Sequence, residues 1–262
     1  MINYLKSINP VLQALLATLF TWLVTLLGAS LVFLFKKINK TILDAMLGFS
    51  AGIMIAASFF SLILPAISLA DNINMTSWIV LSLGFISGGL FLLLGDHIYE
   101  KVNKKRKKNN KRIILLILSI TLHNIPEGLA VGVAFGSIRH GIDGATFISA
   151  CILALGIGLQ NFPEGCAVSI PLRRDGMSRS KAFFWGQLSG FVEPIAGVIG
   201  ALLAIKIRLI LPFLLSFAAG AMIYVVIEEL IPESQTNERK ELMAFSSLVG
   251  FTIMMILDIA LS

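Results

Sequence analysis

Apolar residues fill this chain in long blocks, and polar residues gather in the short gaps between them. The blocks run at about 11–35, 42–69, 76–99, 113–138, 146–171, 181–205, 210–231 and 242–261. A helix that crosses the hydrocarbon core of a bilayer needs about 20 mostly apolar residues. The pattern therefore predicts an all-α polytopic membrane protein with eight transmembrane helices. These blocks consume nearly the whole chain, so residues 1–262 read as a single transmembrane domain with no room for a soluble one. Lys6 ahead of the first block resembles the start of a signal peptide. The apolar run behind it is too long for one, and no small-residue cleavage site interrupts it. A true span is expected there.

Composition agrees with the pattern. The chain is 56% hydrophobic and 14% charged, with a mean hydropathy of +0.88. A soluble domain carries roughly 25% charged residues. Cys151 and Cys166 both fall inside apolar blocks and form neither a disulfide framework nor a CxxC metal motif. They read as small packing residues.

The net charge of +6 takes its meaning from its distribution. Lys36, Lys37 and Lys40 follow the first block. Lys101, Lys104, Lys105, Arg106, Lys107, Lys108, Lys111 and Arg112 follow the third. Arg173, Arg174, Arg179 and Lys181 follow the fifth, and Arg239 and Lys240 the seventh. Of the 21 basic residues, only Lys6, Arg139, Lys206 and Arg208 lie elsewhere. Basic residues favour the cytoplasmic side, so these alternate loops are expected inside and both termini outside. The segment 100–112 reads as a basic cytoplasmic loop rather than a nucleic-acid contact.

Two blocks carry related polar motifs near their centres. The fourth contains His123-Asn124-Ile125-Pro126-Glu127-Gly128 and the fifth Gln160-Asn161-Phe162-Pro163-Glu164-Gly165. Ionisable groups at mid-bilayer depth are costly and mark functional sites. His123 and Glu127 are four residues apart, as are Gln160 and Glu164, so each pair shares a helix face. Asn124 and Asn161 are turned by about 100° from the first residue of each pair. Each helix thus offers two adjacent ligand directions. Pro126 and Pro163 cannot donate to the carbonyls of Leu122 and Leu159. Freed carbonyls of this kind line substrate sites in transporters. Glu193-Pro194 in the sixth block repeats the theme, with Gly190 as the residue whose carbonyl is freed.

Consecutive spans run antiparallel, so two like motifs near their centres meet at one depth. That is the logic of an inverted repeat arranged as three spans, a central pair and three spans. One imidazole, three carboxylates and three amides make a mixed nitrogen and oxygen site that suits a divalent first-row metal, zinc above all. No thiolate cluster argues for copper(I), and the set is richer in nitrogen than magnesium or calcium needs. A lone intramembrane histidine is as readily a hydrogen-bonded packing residue. Three glutamates, each beside a proline, are not explained that way.

These motifs resemble the ZIP (Zrt/Irt-like) divalent metal transporter family, most closely its bacterial GufA-like branch. The resemblance spans the whole chain, and Gly-Phe-Val-Glu-Pro at 190–194 matches the family's carboxylate in the sixth span. It implies a binuclear site. His123, Glu127, Gln160 and Glu164 would form one position. Asn124, Asn161, Glu193 and the shared Glu164 would form the other. It also implies a thioether ligand at Met54 and exit-pathway groups at Asp96, Glu228 and Glu229. The transported ion would be Zn2+, with Cd2+, Fe2+, Mn2+ and Co2+ as further candidates. Import into the cytoplasm across a bacterial inner membrane would follow an elevator-like shift of spans one, four, five and six. Gln160 stands where many members have histidine, and Asn161 where some have aspartate, which lowers the nitrogen content and negative charge of the site. The loop after the third span lacks the histidines often found there.

Two rival functions follow from the same residues. A metal-selective channel would use the same ligands without alternating access. An intramembrane metalloenzyme would use His, Glu and a metal for hydrolysis. HExxH is absent, and the amides would compete for the position of a catalytic water, so no enzyme is expected. The glycines Gly84, Gly88 and Gly89 suit close helix packing, either within the fold or between the copies of a homodimer.

Overall fold

In the computed structural model, residues 7–34, 39–102, 124–140, 146–174, 176–206, 208–236 and 238–261 are described. They are almost wholly helical. Among the described residues, seven helical rods are long and apolar enough to cross a membrane. We label α1 Pro10–Leu34, α2 Lys40–Asn72 and α3 Ser77–Val102. After the helical segment 124–137, labelled α4, come α5 Phe147–Arg174 and α6 Arg179–Lys206. The last two are α7 Leu211–Ser234 and α8 Lys240–Leu261. His123 and residues 103–112 of the basic loop lie outside the described residues.

Local chemistry sets the helix starts. The first amides of a helix lack intrahelical acceptors, and short polar side chains supply them. Asn9 accepts from the amide of Val11 ahead of α1, and Asn39 from that of Thr41 at 2.9 Å. Thr146 accepts from the amide of Ser149 at 3.0 Å, and Ser178 caps α6. The turn between α5 and α6 passes through Gly176 at φ 96°, a conformation that favours glycine.

The rods divide by packing. α1 lies against α5 and α6, and α5 against α6. The glycines of α4 add that helix to the group: Gly128, Gly132 and Gly136 face the backbone of α6 at Glu193, Gly197 and Ala201. In the second group α3 packs on α7, and α2 on α7 and α8. The seam between the groups is formed chiefly by α2 against α5. Gly84 and Gly88 meet Phe213 and Phe217 of α7, and Gly89 meets Tyr224, so these glycines serve packing within the fold. α3 and α8 turn Trp78, Leu83, Ile86, Phe245, Leu248 and Ile259 outward, as lipid-facing helices do.

α2 and α7 share a design. Residues 47–55 read Leu-Gly-Phe-Ser-Ala-Gly-Ile-Met-Ile and residues 215–223 read Leu-Ser-Phe-Ala-Ala-Gly-Ala-Met-Ile. Each run leads into a π-helical turn, Ser58–Ile63 and Val226–Leu230. Each turn is followed within two residues by a proline, Pro65 and Pro232. The contacts match too. Gly250 of α8 sits over the carbonyl of Phe49, and Gly88 of α3 over that of Phe217. π-helical turns of this kind are frequent at functional positions.

Candidate metal site

The polar residues of α4, α5 and α6 meet inside the first group. Pro163 lies within α5, which continues through it. α6 breaks at Phe191, between the segments Arg179–Gly190 and Val192–Lys206. Pro194 has no N–H for the Gly190 carbonyl, and the break falls there. It leaves Glu193 in the first turn of the second segment, where the helix dipole favours a negative group. Close approach is made possible by the motif glycines. A Cβ on Gly128 would overlap the backbone of Glu193 in α6, and one on Gly165 would overlap the Thr25 carbonyl in α1.

Asn124, Glu127, Gln160, Asn161 and Glu193 are all buried, and Glu164 nearly so. Gln160 donates through Nε2 to Oε1 of Glu127 at 2.6 Å. Asn161 donates through Nδ2 to Oε1 of Glu193 at 2.9 Å, to its Oε2 at 3.0 Å and to the Thr21 carbonyl at 3.2 Å. Asn124 donates to the Ser189 carbonyl at 2.8 Å. The two asparagines thus make like bonds, one to α6 and one to α1. Thr21 adds a hydrogen bond from its hydroxyl to Oε2 of Glu193. Glu127, Glu164 and Glu193 lie within electrostatic range of one another, and Glu229 within range of Glu164.

Each amide nitrogen donates at least once in these bonds, whereas the amide oxygens accept none. Oδ1 of Asn124, Oε2 of Glu127, Oε1 of Gln160 and Oδ1 of Asn161 are buried without a hydrogen-bond partner among the described residues. An unpaired buried oxygen costs about 1–3 kcal/mol, and proteins rarely leave one. Four such oxygens lie in the motif pair, and oxygens of this kind are the donors that a hard or borderline cation takes. Among the described residues, no three His, Cys, Asp or Glu side chains gather into a ready-made metal cluster. Glu127 and Glu193 are instead held by Gln160, Asn161 and Thr21, bonds that an ion would have to replace in part.

Met54 is fully buried in α2. It lies one helical turn beyond Ser50, whose hydroxyl donates to the Gln160 carbonyl at 3.1 Å. The two therefore share the α2 face turned toward α5. Glu228 and Glu229 sit in the π-helical turn of α7, with Glu228 exposed. Asp96 belongs to α3. Cys166 is buried and directs its sulfur to the Gly28 carbonyl at 3.2 Å, while Cys151 is at intermediate exposure, and the two form no disulfide.

Neither motif points to Ser61 or Asp258, which the structure joins on the far side of the seam. Ser61 Oγ, in the π-helical turn of α2, lies 2.9 Å from each carboxylate oxygen of Asp258 in α8. Both line a cavity of about 560 Å³ with Ser68, Ser137, Thr146 and Ser149. Asp258 alone carried a signal in sequence, as a carboxylate near the end of an apolar block.

Comparison with known proteins decides the family. Residues 97–258 match the family model described as ZIP Zinc transporter. The chain belongs to the ZIP family. It is 40% identical to "Zinc transporter ZIP11" of Xenopus tropicalis, over 97% of this chain and 98% of that protein. It is 36% identical to "Zinc transporter ZIPB" of Bordetella bronchiseptica, over 90% and 77% of the two chains. It is 33% identical to "Zinc transporter GufA" of Myxococcus xanthus, over 94% and 98%. A multi-pass membrane protein of a metal transporter family is therefore what the apolar helices and the polar motifs together describe.

Proposed function

We propose that this chain carries divalent metal, chiefly Zn2+, across the bilayer into the cytoplasm through a binuclear site between α4, α5 and α6. The observation that carries this reading is the set of four buried acceptor oxygens left without donors on Asn124, Glu127, Gln160 and Asn161. Water or a protein donor would ordinarily fill such a set, whereas a divalent cation uses all of it and also answers the charge of Glu127, Glu164 and Glu193. His123 completes the first position in this reading, and Met54 supplies a soft ligand from α2. The named relatives are zinc transporters, which supports zinc over the other metals. Cd2+, Fe2+, Mn2+ and Co2+ are competitors for the same donors.

The route runs from the cavity at Ser61 and Asp258, through the central site, to Asp96, Glu228 and Glu229. The lysine-rich loops lie at the exit end, with both termini at the other face. Access alternates as α1, α4, α5 and α6 slide as one body along α2, α3, α7 and α8. The matched runs in α2 and α7 and the like bonds of Asn124 and Asn161 support a pseudo-two-fold relation, three spans either side of a central pair. The direct test is uptake of radioactive zinc into proteoliposomes holding the purified chain. Saturable uptake that is accelerated by zinc on the opposite side is expected. Flux without saturation or trans-acceleration would favour a channel, and flux equal to that of empty liposomes would end the proposal.

A further inference from the structure

Hydroxyl groups in a membrane helix usually bond back to their own helix. Three threonines of α1, at 18, 21 and 25, lie on one buried face. Thr18 donates to the Ala14 carbonyl at 2.8 Å and Thr25 faces the Thr21 carbonyl at 3.3 Å. Thr21 has the same option, with the Thr18 carbonyl at 3.0 Å, and also the Oε2 of Glu193 across the helix interface. Its own carbonyl accepts from Asn161 at 3.2 Å. Thr21 therefore touches Asn161 of α5 and Glu193 of α6, two of the side chains assigned to the second metal position.

Ser189 of α6 shows what the architecture alone requires. It stands to Asn124 as Thr21 stands to Asn161: its carbonyl accepts from the asparagine amide at 2.8 Å, and its hydroxyl donates to the carbonyl three residues back, Gly186, at 2.8 Å. No ligand carboxylate receives a hydrogen bond from Ser189 among the described residues. The bond from Thr21 to Glu193 is thus an addition to the packing scheme.

We propose that Thr21 is a positioning residue for metal binding: its hydroxyl orients the Glu193 carboxylate beside the Asn161 amide, so that the Asn161 carbonyl oxygen faces the ion. This rests on the transporter reading given above. Asn161 directs its Nδ2 at Glu193 and the Thr21 carbonyl, which leaves Oδ1 on the opposite side of the amide, buried and unpartnered. Removing the hydroxyl lets the carboxylate turn and removes one of the two side-chain donors that hold it.

The test compares Thr21→Val, Thr21→Ala and Thr21→Ser with Thr18→Val in the full chain. Two measurements are made: Zn2+ affinity by calorimetry in detergent, and KM and Vmax in proteoliposomes. A hydrogen bond to a charged group is strong enough that both Thr21→Val and Thr21→Ala should weaken Zn2+ affinity and raise KM about tenfold. Vmax should change less than about twofold, since a ground-state contact is lost. Thr21→Ser keeps the hydroxyl and should restore wild-type values, and Thr18→Val should be neutral. Reading the alanine variant beside the valine one guards against a valine that does not fold. Affinity unchanged in the folded Thr21 variants overturns the role, as does a Thr21→Ser variant as weak as Thr21→Val. Failure of the transporter reading would show instead in the unmodified chain, as an absence of zinc flux, with the calorimetric comparison still standing.

Discussion

Glu127 accepts from Gln160 with one oxygen and leaves the other buried and unpaired. A metal ion that takes the free oxygen is the reason to test His123 as well, four residues earlier in the sequence. Glu127→Ala and His123→Ala are therefore expected to abolish nearly all zinc uptake at equal expression, with insertion and folding intact. Uptake at the wild-type rate in both variants, measured in proteoliposomes, would remove the two residues from the site. Asp258 poses a different question, because it lines the cavity that the proposed route enters first. Asp258→Asn and Ser61→Ala are expected to slow uptake at low zinc and leave calorimetric affinity at the central site unchanged. These residues differ in how far sequence reveals them. Carboxylates and an imidazole stand out against apolar blocks, so the motif glutamates were legible. Thr21, Ser61 and Ser189 were not, since a hydroxyl in a span normally bonds to its own helix and leaves no pattern.

Helix starts rest on the caps Asn39, Thr146 and Ser178, and the spans themselves were readable from the apolar blocks. The π-helical turns of α2 and α7 were not, because one extra residue in a turn changes no periodicity that a short apolar run can display. The break in α6 had a partial signal in Pro194 and Gly190. Whether Gly84, Gly88 and Gly89 pack inside or between copies depended on which faces meet, and only the fold supplies that. α3 and α7 now give a sharp contrast between neighbours. A Cβ on Gly88 would overlap the Phe217 carbonyl, whereas one on Gly89 would sit 3.7 Å from the Tyr224 ring, an ordinary contact. Overpacking a close interface costs about 1–3 kcal/mol. Gly88→Val should lower the melting temperature in detergent, as should Gly220→Val on the facing helix, while Gly89→Ala should not. Equal melting temperatures for Gly88→Val and the unmodified chain would show that α3 and α7 are not packed this closely.

At the scale of the whole molecule, the charge pattern predicts an orientation and the packing suggests a motion. With cysteines 151 and 166 replaced, Lys105→Cys should be shielded from impermeant thiol reagents in intact cells and Ile73→Cys should label. The reverse pattern would overturn orientation and import direction together. The motion is tested along the seam. α5 belongs to the group of α1, α4 and α6, and α2 to the group of α3, α7 and α8, so a tie between α5 and α2 should stop any sliding of one group along the other. Ser68 of α2 and Ser149 of α5 line the same cavity, so bifunctional thiol reagents of graded length can be tried on cysteines placed there. Lys40 and Thr236 touch each other within the second group, and a tie there restrains nothing that slides. Bridging Ser68→Cys with Ser149→Cys through reducible disulfides should therefore block zinc uptake until a reductant is added. Bridging Lys40→Cys with Thr236→Cys should leave uptake intact. Full uptake with the seam bridge in place would mean that the ion crosses without the two groups moving, and the channel would become the better account of the same ligands.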